Sequence, residues 1–154
     1  MKVKDIMNPN VVFCKPDDTV REVAKILKEN NISGIPVLDG EELVGVVSEG
    51  DLLKLLIIPE KGELWLPSPF EVIEVPIREY LGWEETKKIL SDVGSIKVEE
   101  IMTKDIYTIS SEASIEEASE HMVRHRINRL PVLEDDRVVG IITRGDIIEG
   151  IAKL

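Results

Sequence analysis

The sequence has little of what marks a specialised chain. Cysteine occurs once among 154 residues, as Cys14, so no internal disulfide is available and a reducing compartment fits. Glutamine is absent while Lys and Glu are abundant, a composition that leans toward a thermophile. No apolar run approaches the roughly 20 residues of a membrane span. The start, Met1-Lys2-Val3-Lys4-Asp5, lacks a signal-peptide core, and the expected location is cytoplasmic. Positive charge is in short supply: 19 Lys and Arg stand against 30 Asp and Glu, for a net charge of −11. That surface repels nucleic acid and anionic membrane over most of its area. An anionic ligand would need a local basic cluster, and Arg124-His125-Arg126 with Arg129 supplies one.

Catalytic patterns are missing as well. There is no P-loop, no Ser/His/Asp order and no metal cage, so the chain is not expected to be an enzyme. His121 and His125 stand at i, i+4 without a third ligand at motif spacing, and no metal is expected there. Cys14 falls in an apolar segment and reads as core. Aromatics are 4% of the chain, and four of them, Trp65, Phe70, Tyr80 and Trp83, crowd into one stretch.

What the sequence does have is one pattern written twice, at a constant shift of 95 residues without a gap. Val3-Lys4-Asp5-Ile6-Met7 returns as Val98-Glu99-Glu100-Ile101-Met102, and Ile35-Pro36-Val37-Leu38 as Leu130-Pro131-Val132-Leu133. Leu43 to Asp51 returns as Val138 to Asp146. Two like units are expected to pack about a pseudo-twofold axis, with two related clefts between them.

Each copy reads strand–helix–strand–strand–helix, an α/β (α+β) fold. Val11–Cys14 is the first expected strand. Thr19-Val20-Arg21-Glu22 and Ser114-Ile115-Glu116-Glu117 have the form of capping boxes. Val20, Val23, Ala24 and Leu27, and in the second copy Ile115, Ala118 and Met122, form helical apolar stripes. Asn30-Asn31 ends the first helix. Asp39-Gly40 and Asp135-Asp136 mark hairpin turns. Leu43–Val47 reads as a strand buried on both faces, followed by a helix from Ser48 through Ile57. One copy is small to be stable alone, so the two sheets are expected to bury their faces on each other. The resulting division is a first repeat over 1–58, an inserted segment over 59–97 and a second repeat over 98–154. The insert is not Gly/Ser-rich. Its aromatics, its prolines Pro67, Pro69 and Pro76, and a helical stretch over Glu84–Val93 suggest that it folds back on the repeats. A packing cap and a partner-docking surface are both open readings of it.

The sharpest local motif is Ser48-x-x-Asp51 with its twin Thr143-x-x-Asp146. Each places a hydroxyl, a glycine (Gly50 or Gly145) and a carboxylate where a strand turns into a helix and backbone amides gather. The carboxylate suits a ribose diol and the hydroxyl a phosphate or ring edge. Plain helix capping explains the same residues, and the duplication in matched context weighs toward a site.

Taken in order and twice over, V-x-x-I-M, I/L-P-V-L and V-G-h-h-S/T-x-G-D resemble a tandem pair of cystathionine-β-synthase (CBS) domains, a Bateman module. His125–Val132 is also similar to repeats of the γ subunit of AMP-activated protein kinase. The resemblance implies a regulatory binding module for an adenosine-containing ligand, AMP, ADP, ATP or S-adenosylmethionine, with no catalytic cofactor. It places Ser48 and Asp51 opposite Thr103, Ile106, Asn128, Arg129 and Leu130. It places Thr143 and Asp146, with Arg144 nearby, opposite Asn8, Val11, Ser33, Gly34 and Ile35. Because Gly34 is the counterpart of Arg129, the Asp51 cleft is expected to be the stronger phosphate reader. A homodimer and a separate effector protein are the expected partners, without membrane or nucleic acid. The alternative is a ligand-free scaffold or protein-interaction module.

Overall fold

A computed structural model describes the backbone of residues 1–64 and 83–154, with side chains over 1–56, 84 and 87–154. The expected residues Trp65, Phe70, Tyr80, Pro67, Pro69 and Pro76 lie outside the described backbone, and the side chain of Trp83 outside the described side chains. In chain order the elements are α1 (Val3–Ile6), α2 (Val20–Asn30), β1 (Gly34–Asp39), β2 (Glu42–Ser48), α3 (Glu49–Leu64) and α4 (Trp83–Gly94). A 3-10 turn over Val98–Glu100 follows, then β3 (Ile109–Ser110), α5 (Ile115–His125), β4 (Arg129–Glu134), β5 (Arg137–Thr143) and α6 (Arg144–Ala152).

Local chemistry sets the helix ends. Thr19 Oγ1 accepts from the Glu22 amide at 3.2 Å, while the Glu22 carboxylate accepts from the Thr19 amide at 2.8 Å. Ser114 and Glu117 repeat this arrangement at 3.1 and 2.8 Å, so two orphan amides of each first turn are satisfied. Both helices end in the left-handed region, at Asn31 (φ 53°) and Arg126 (φ 54°). Val20, Val23 and Leu27 are buried, as are Ala118 and Met122. Ala24 is exposed instead, on the side of α2 that borders a cleft.

Antiparallel pairing joins β1 to β2 and β4 to β5, each by a two-residue loop and each with a register shift at the same place in the repeat, Val37/Leu38 and Val132/Leu133. The expected first strand is much reduced. In the first repeat only Cys14 bridges to β1, with its amide on Pro36 O and its carbonyl receiving the Leu38 amide. In the second, β3 runs parallel to β4 for two residues. The chain touches the sheet edge briefly and leaves Val11 and Val12 to line a cleft. Nor is β2 buried on both faces: Gly45 and Val47 are buried, whereas Leu43, Val44 and Val46 are half-buried. The helix expected to stop at Ile57 continues to Leu64.

The sheets do not share one core. One apolar cluster holds Ile109, Ala118, Met122, Leu130, Val132, Ile142 and Ile147 of the second repeat together with Val3. The other holds Cys14, Val23, Leu27, Ile35, Val37 and Val47 of the first repeat together with Val98. The leading segments are thus exchanged. Val3 N donates to Ala113 O, and Val98 N to Asp18 O. Beyond them Asn8 exchanges two backbone bonds with Ile141, 2.8 and 3.0 Å, and Thr103 does the same with Val46 at the same two lengths. Methionines follow into the junction: a Cβ on Gly45 would stand 2.5 Å from Met102 Sδ, and one on Gly140 2.5 Å from Met7 Sδ and 3.0 Å from Asn8 O. Glycine is what lets these segments approach the strands. α4 packs on α2 and α3, with Arg21 Nη2 donating to Ser91 O at 3.3 Å.

Candidate functional site

The two Ser/Thr-x-x-Asp motifs open α3 and α6. Thr143 donates to Asp146 Oδ2 from its amide at 2.7 Å and its hydroxyl at 2.9 Å, and its Oγ1 lies 3.2 Å from the Asp146 amide. Ser48 and Asp51 have the same arrangement at 2.9, 3.2 and 3.4 Å. Capping therefore occupies one carboxylate oxygen. On the other the repeats differ. Asp51 Oδ1 lies 3.4 Å from Thr103 Oγ1, across the junction. Asp146 Oδ1 has no hydrogen-bond partner among the described residues.

Two clefts lie beside these helix starts. The larger, about 1020 Å³, brings together all of the residues expected around Asp146: Asn8, Val11, Ser33, Gly34, Ile35, Thr143, Arg144 and Asp146. Asn128 and Arg129 line it too. The smaller, about 200 Å³, gathers Ser48, Asp51, Thr103, Ile106, Asn128 and Arg129. Leu130, expected here, lines neither cleft; its side chain is fully buried in the second-repeat core. Alternation along β4 turns Leu130 inward when Arg129 faces the junction. Sequence reasoning missed Lys28, Ile32, Glu49 and Leu52 in the large cleft and Asp105 and Tyr107 in the small one, whereas Arg126 of the expected basic cluster does line the small cleft. Lys28 had a legible signal, a cation in the last turn of a capped helix; the others had none. Gly145 borders the large cleft, while Gly50 borders neither.

Arg129 stands between the two clefts and lines both. Its guanidinium extends over the backbone of Gly34, where a Cβ would overlap it, and Nη2 donates to Ser33 Oγ. The side chain assigned to the Asp51 cleft thus reaches into the Asp146 cleft. Burial lowers its pKa, Glu49 and Asp51 oppose that shift, and Arg144 adds to it; an arginine stays charged throughout. A chain of net charge −11 thereby sets Arg129, Arg144 and Lys28 around one concavity.

The other two members of the expected basic cluster, Arg124 and His125, line neither cleft. Arg124 pairs with Glu120 one helical turn away, and both are largely exposed. His125 stacks on Tyr107 with ring centroids 3.7 Å apart, and the rings of His121 and His125 are 5.8 Å apart. Among the described residues no three metal-ligating side chains converge, and no helix is long and apolar enough to cross a membrane.

Comparison with known proteins agrees with this architecture. The CBS domain family matches residues 3–58 and 98–153. An uncharacterized protein of Methanocaldococcus jannaschii, MJ1426, is 36% identical over 154 residues, covering 98% of this chain and 91% of its own length. The crystal structure of CBSX2 in complex with AMP superposes with a TM-score of 0.71 at 26% identity, over 99% of this chain and 96% of that one. The CBS domain pair of MJ0100, solved with 5′-methylthioadenosine and S-adenosyl-L-methionine, has the same fold, with a TM-score of 0.72 at 24% identity over 99% and 97% of the two chains. CBS domains are regulatory and non-catalytic. With its two matched repeats exchanging their leading segments around a pair of clefts, the chain belongs to the CBS-domain family as a tandem Bateman module.

Proposed function

We propose that this module senses an adenosine-containing ligand held in the Asp146 cleft. The observation that carries the reading is the half-used carboxylate: Thr143 fixes Asp146 Oδ2, and Oδ1 is left at a cleft flanked by two arginines. A carboxylate held in this way accepts both hydroxyls of a ribose. Val11, Val12, Ile32 and Leu52 offer an apolar wall for the base, and Arg129 and Arg144 offer charge for phosphate or carboxylate. The volume suits a nucleotide, since small-molecule sites span about 300–1000 Å³; the Asp51 cleft is smaller than that range. CBSX2, solved with AMP, supports the adenine assignment. AMP is the first ligand to test, followed by ADP, ATP and S-adenosylmethionine.

Thermal unfolding with each of these and with GMP tests the reading. A ligand at a hundred times its Kd adds about 2.7 kcal/mol to stability. AMP should raise Tm by several degrees and GMP should not. A Tm unmoved by every adenosine compound would overturn the proposal.

The proposed setting is cytoplasmic, with a separate effector protein reading the ligand state. A homodimer is part of the proposal. Leu53 and its repeat counterpart Ile148 are 58% and 65% exposed, and Ile151 is 56% exposed beside Ile148. Apolar residues related by the pseudo-twofold suit a self-complementary face. Ile148→Glu should convert a dimer into a monomer in sedimentation; a monomeric wild type at high micromolar concentration would contradict this part.

A further inference from the structure

Asn128 and Arg129 line both clefts, and Arg129 is the charged one of the two. We infer that the Arg129 guanidinium is a shared anion reader that couples the two clefts negatively for phosphorylated ligands. The inference rests on the adenosine-ligand reading and adds a regulation to it.

In the structure the guanidinium is parked on the large-cleft side, donating to Ser33 Oγ and lying over Gly34. From there it can serve a phosphate in the Asp146 cleft without leaving its position. The small cleft holds about 200 Å³ and is crossed by the contact between Thr103 and Asp51. A nucleotide entering it must widen it and draw Arg129 off Ser33 toward Asp51. One planar fork cannot clasp two phosphates on opposite sides of the junction. The counterpart position, Gly34, supplies no second cation, and a side chain there would overlap the guanidinium. Occupancy of the Asp146 cleft by a nucleotide therefore withholds the arginine from the Asp51 cleft, and the reverse holds by linkage. Uncharged adenosine makes no claim on Arg129, so its two binding events are independent. Such a device separates a low-nucleotide state, with one cleft filled, from a high-nucleotide state with both filled.

Calorimetric titration of the full chain with AMP and with adenosine tests this. Wild type should bind AMP in a strong step at the Asp146 cleft and a weak one at the Asp51 cleft. Asp146→Ala removes the strong competitor, and the Asp51 cleft should then bind AMP about fivefold or more tighter than in the second wild-type step, the lower end of ordinary coupling. With adenosine the same variant should show no gain, and in an Arg129→Ala background the gain for AMP should vanish. Ser33→Ala keeps the arginine and removes its parking bond, and should narrow the gap between the two AMP steps. Absence of any gain in Asp146→Ala, a gain that survives Arg129→Ala, or a wild type binding one AMP beside an Asp146→Ala variant binding none would each overturn the shared reader. Absence of AMP and adenosine binding from every variant would overturn the underlying ligand reading and this inference with it.

Discussion

Cys14 is 1% exposed, with Sγ 3.9 Å from Pro36 O. Burial, with a smaller contribution from Asp18, pushes its thiol up from 9.0 to about 12. The folded chain then keeps a proton that the unfolded chain gives up near pH 9. The resulting stability is present in full below pH 9 and is lost progressively as pH rises from 9 to 12. Chemical denaturation across that window should show wild type losing stability more steeply than Cys14→Ala; equal slopes would contradict the assignment. Below pH 9 the thiol should also resist alkylating reagents, because the thiolate is the nucleophile. That Cys14 belongs to the core was legible from its apolar neighbours. The direction of Arg129 was not: a long side chain at a strand start reaches either wall of a junction, and only the packed positions of Ser33 and Gly34 decide which.

Helices α2 and α5 show how far local rules extend. Their capping boxes were legible because Thr19 with Glu22, and Ser114 with Glu117, satisfy amides of their own first turn and need no tertiary partner. Their C-terminal ends differ in cost. Asn31 and Arg126 occupy the same left-handed position of the repeat, which Asn tolerates and a long side chain disfavours. Arg126→Asn should stabilise the chain by about 0.5–1 kcal/mol in denaturant unfolding, part of the ordinary left-handed penalty; a loss of stability would mean that the arginine side chain supports the small cleft. The first strand of the first repeat is reduced to the single bridge at Cys14, while that of the second repeat is present as β3. Val11–Cys14 has strand composition, yet composition reports a half-buried pleated surface, and a cleft wall provides the same environment without a ladder of hydrogen bonds.

Over the whole molecule the exchange of leading segments governs both stability and site. It brings Asn8 to the Asp146 cleft and Thr103 to the Asp51 cleft, so neither repeat completes a cleft alone. Sequence could not show it, because a gapless tandem repeat reads identically whether each leading segment docks on its own copy or on the other. Val3→Ala tests the exchange. Removing two buried methyl groups should cost about 1.5–3 kcal/mol. The increase in amide hydrogen exchange should fall on Leu130 and Ile142 of the second repeat, which share its core. Increased exchange confined to Val37 and Val47 of the first repeat would contradict the exchanged packing. At this scale the repeat, the two clefts, the Asp146 surroundings and an inequality of the clefts were legible, whereas the cleft toward which Arg129 turns was not. That inequality comes from one hydrogen bond at Thr103 and one side-chain direction at Arg129. The most direct test of the central claim is the calorimetric affinity for AMP of wild type against Asp51→Ala/Asp146→Ala. The account predicts AMP binding by wild type and a loss of about 1.5–3 kcal/mol in the double variant, the scale for charge-assisted hydrogen bonds to a ribose. Unaltered affinity in a folded double variant would contradict it.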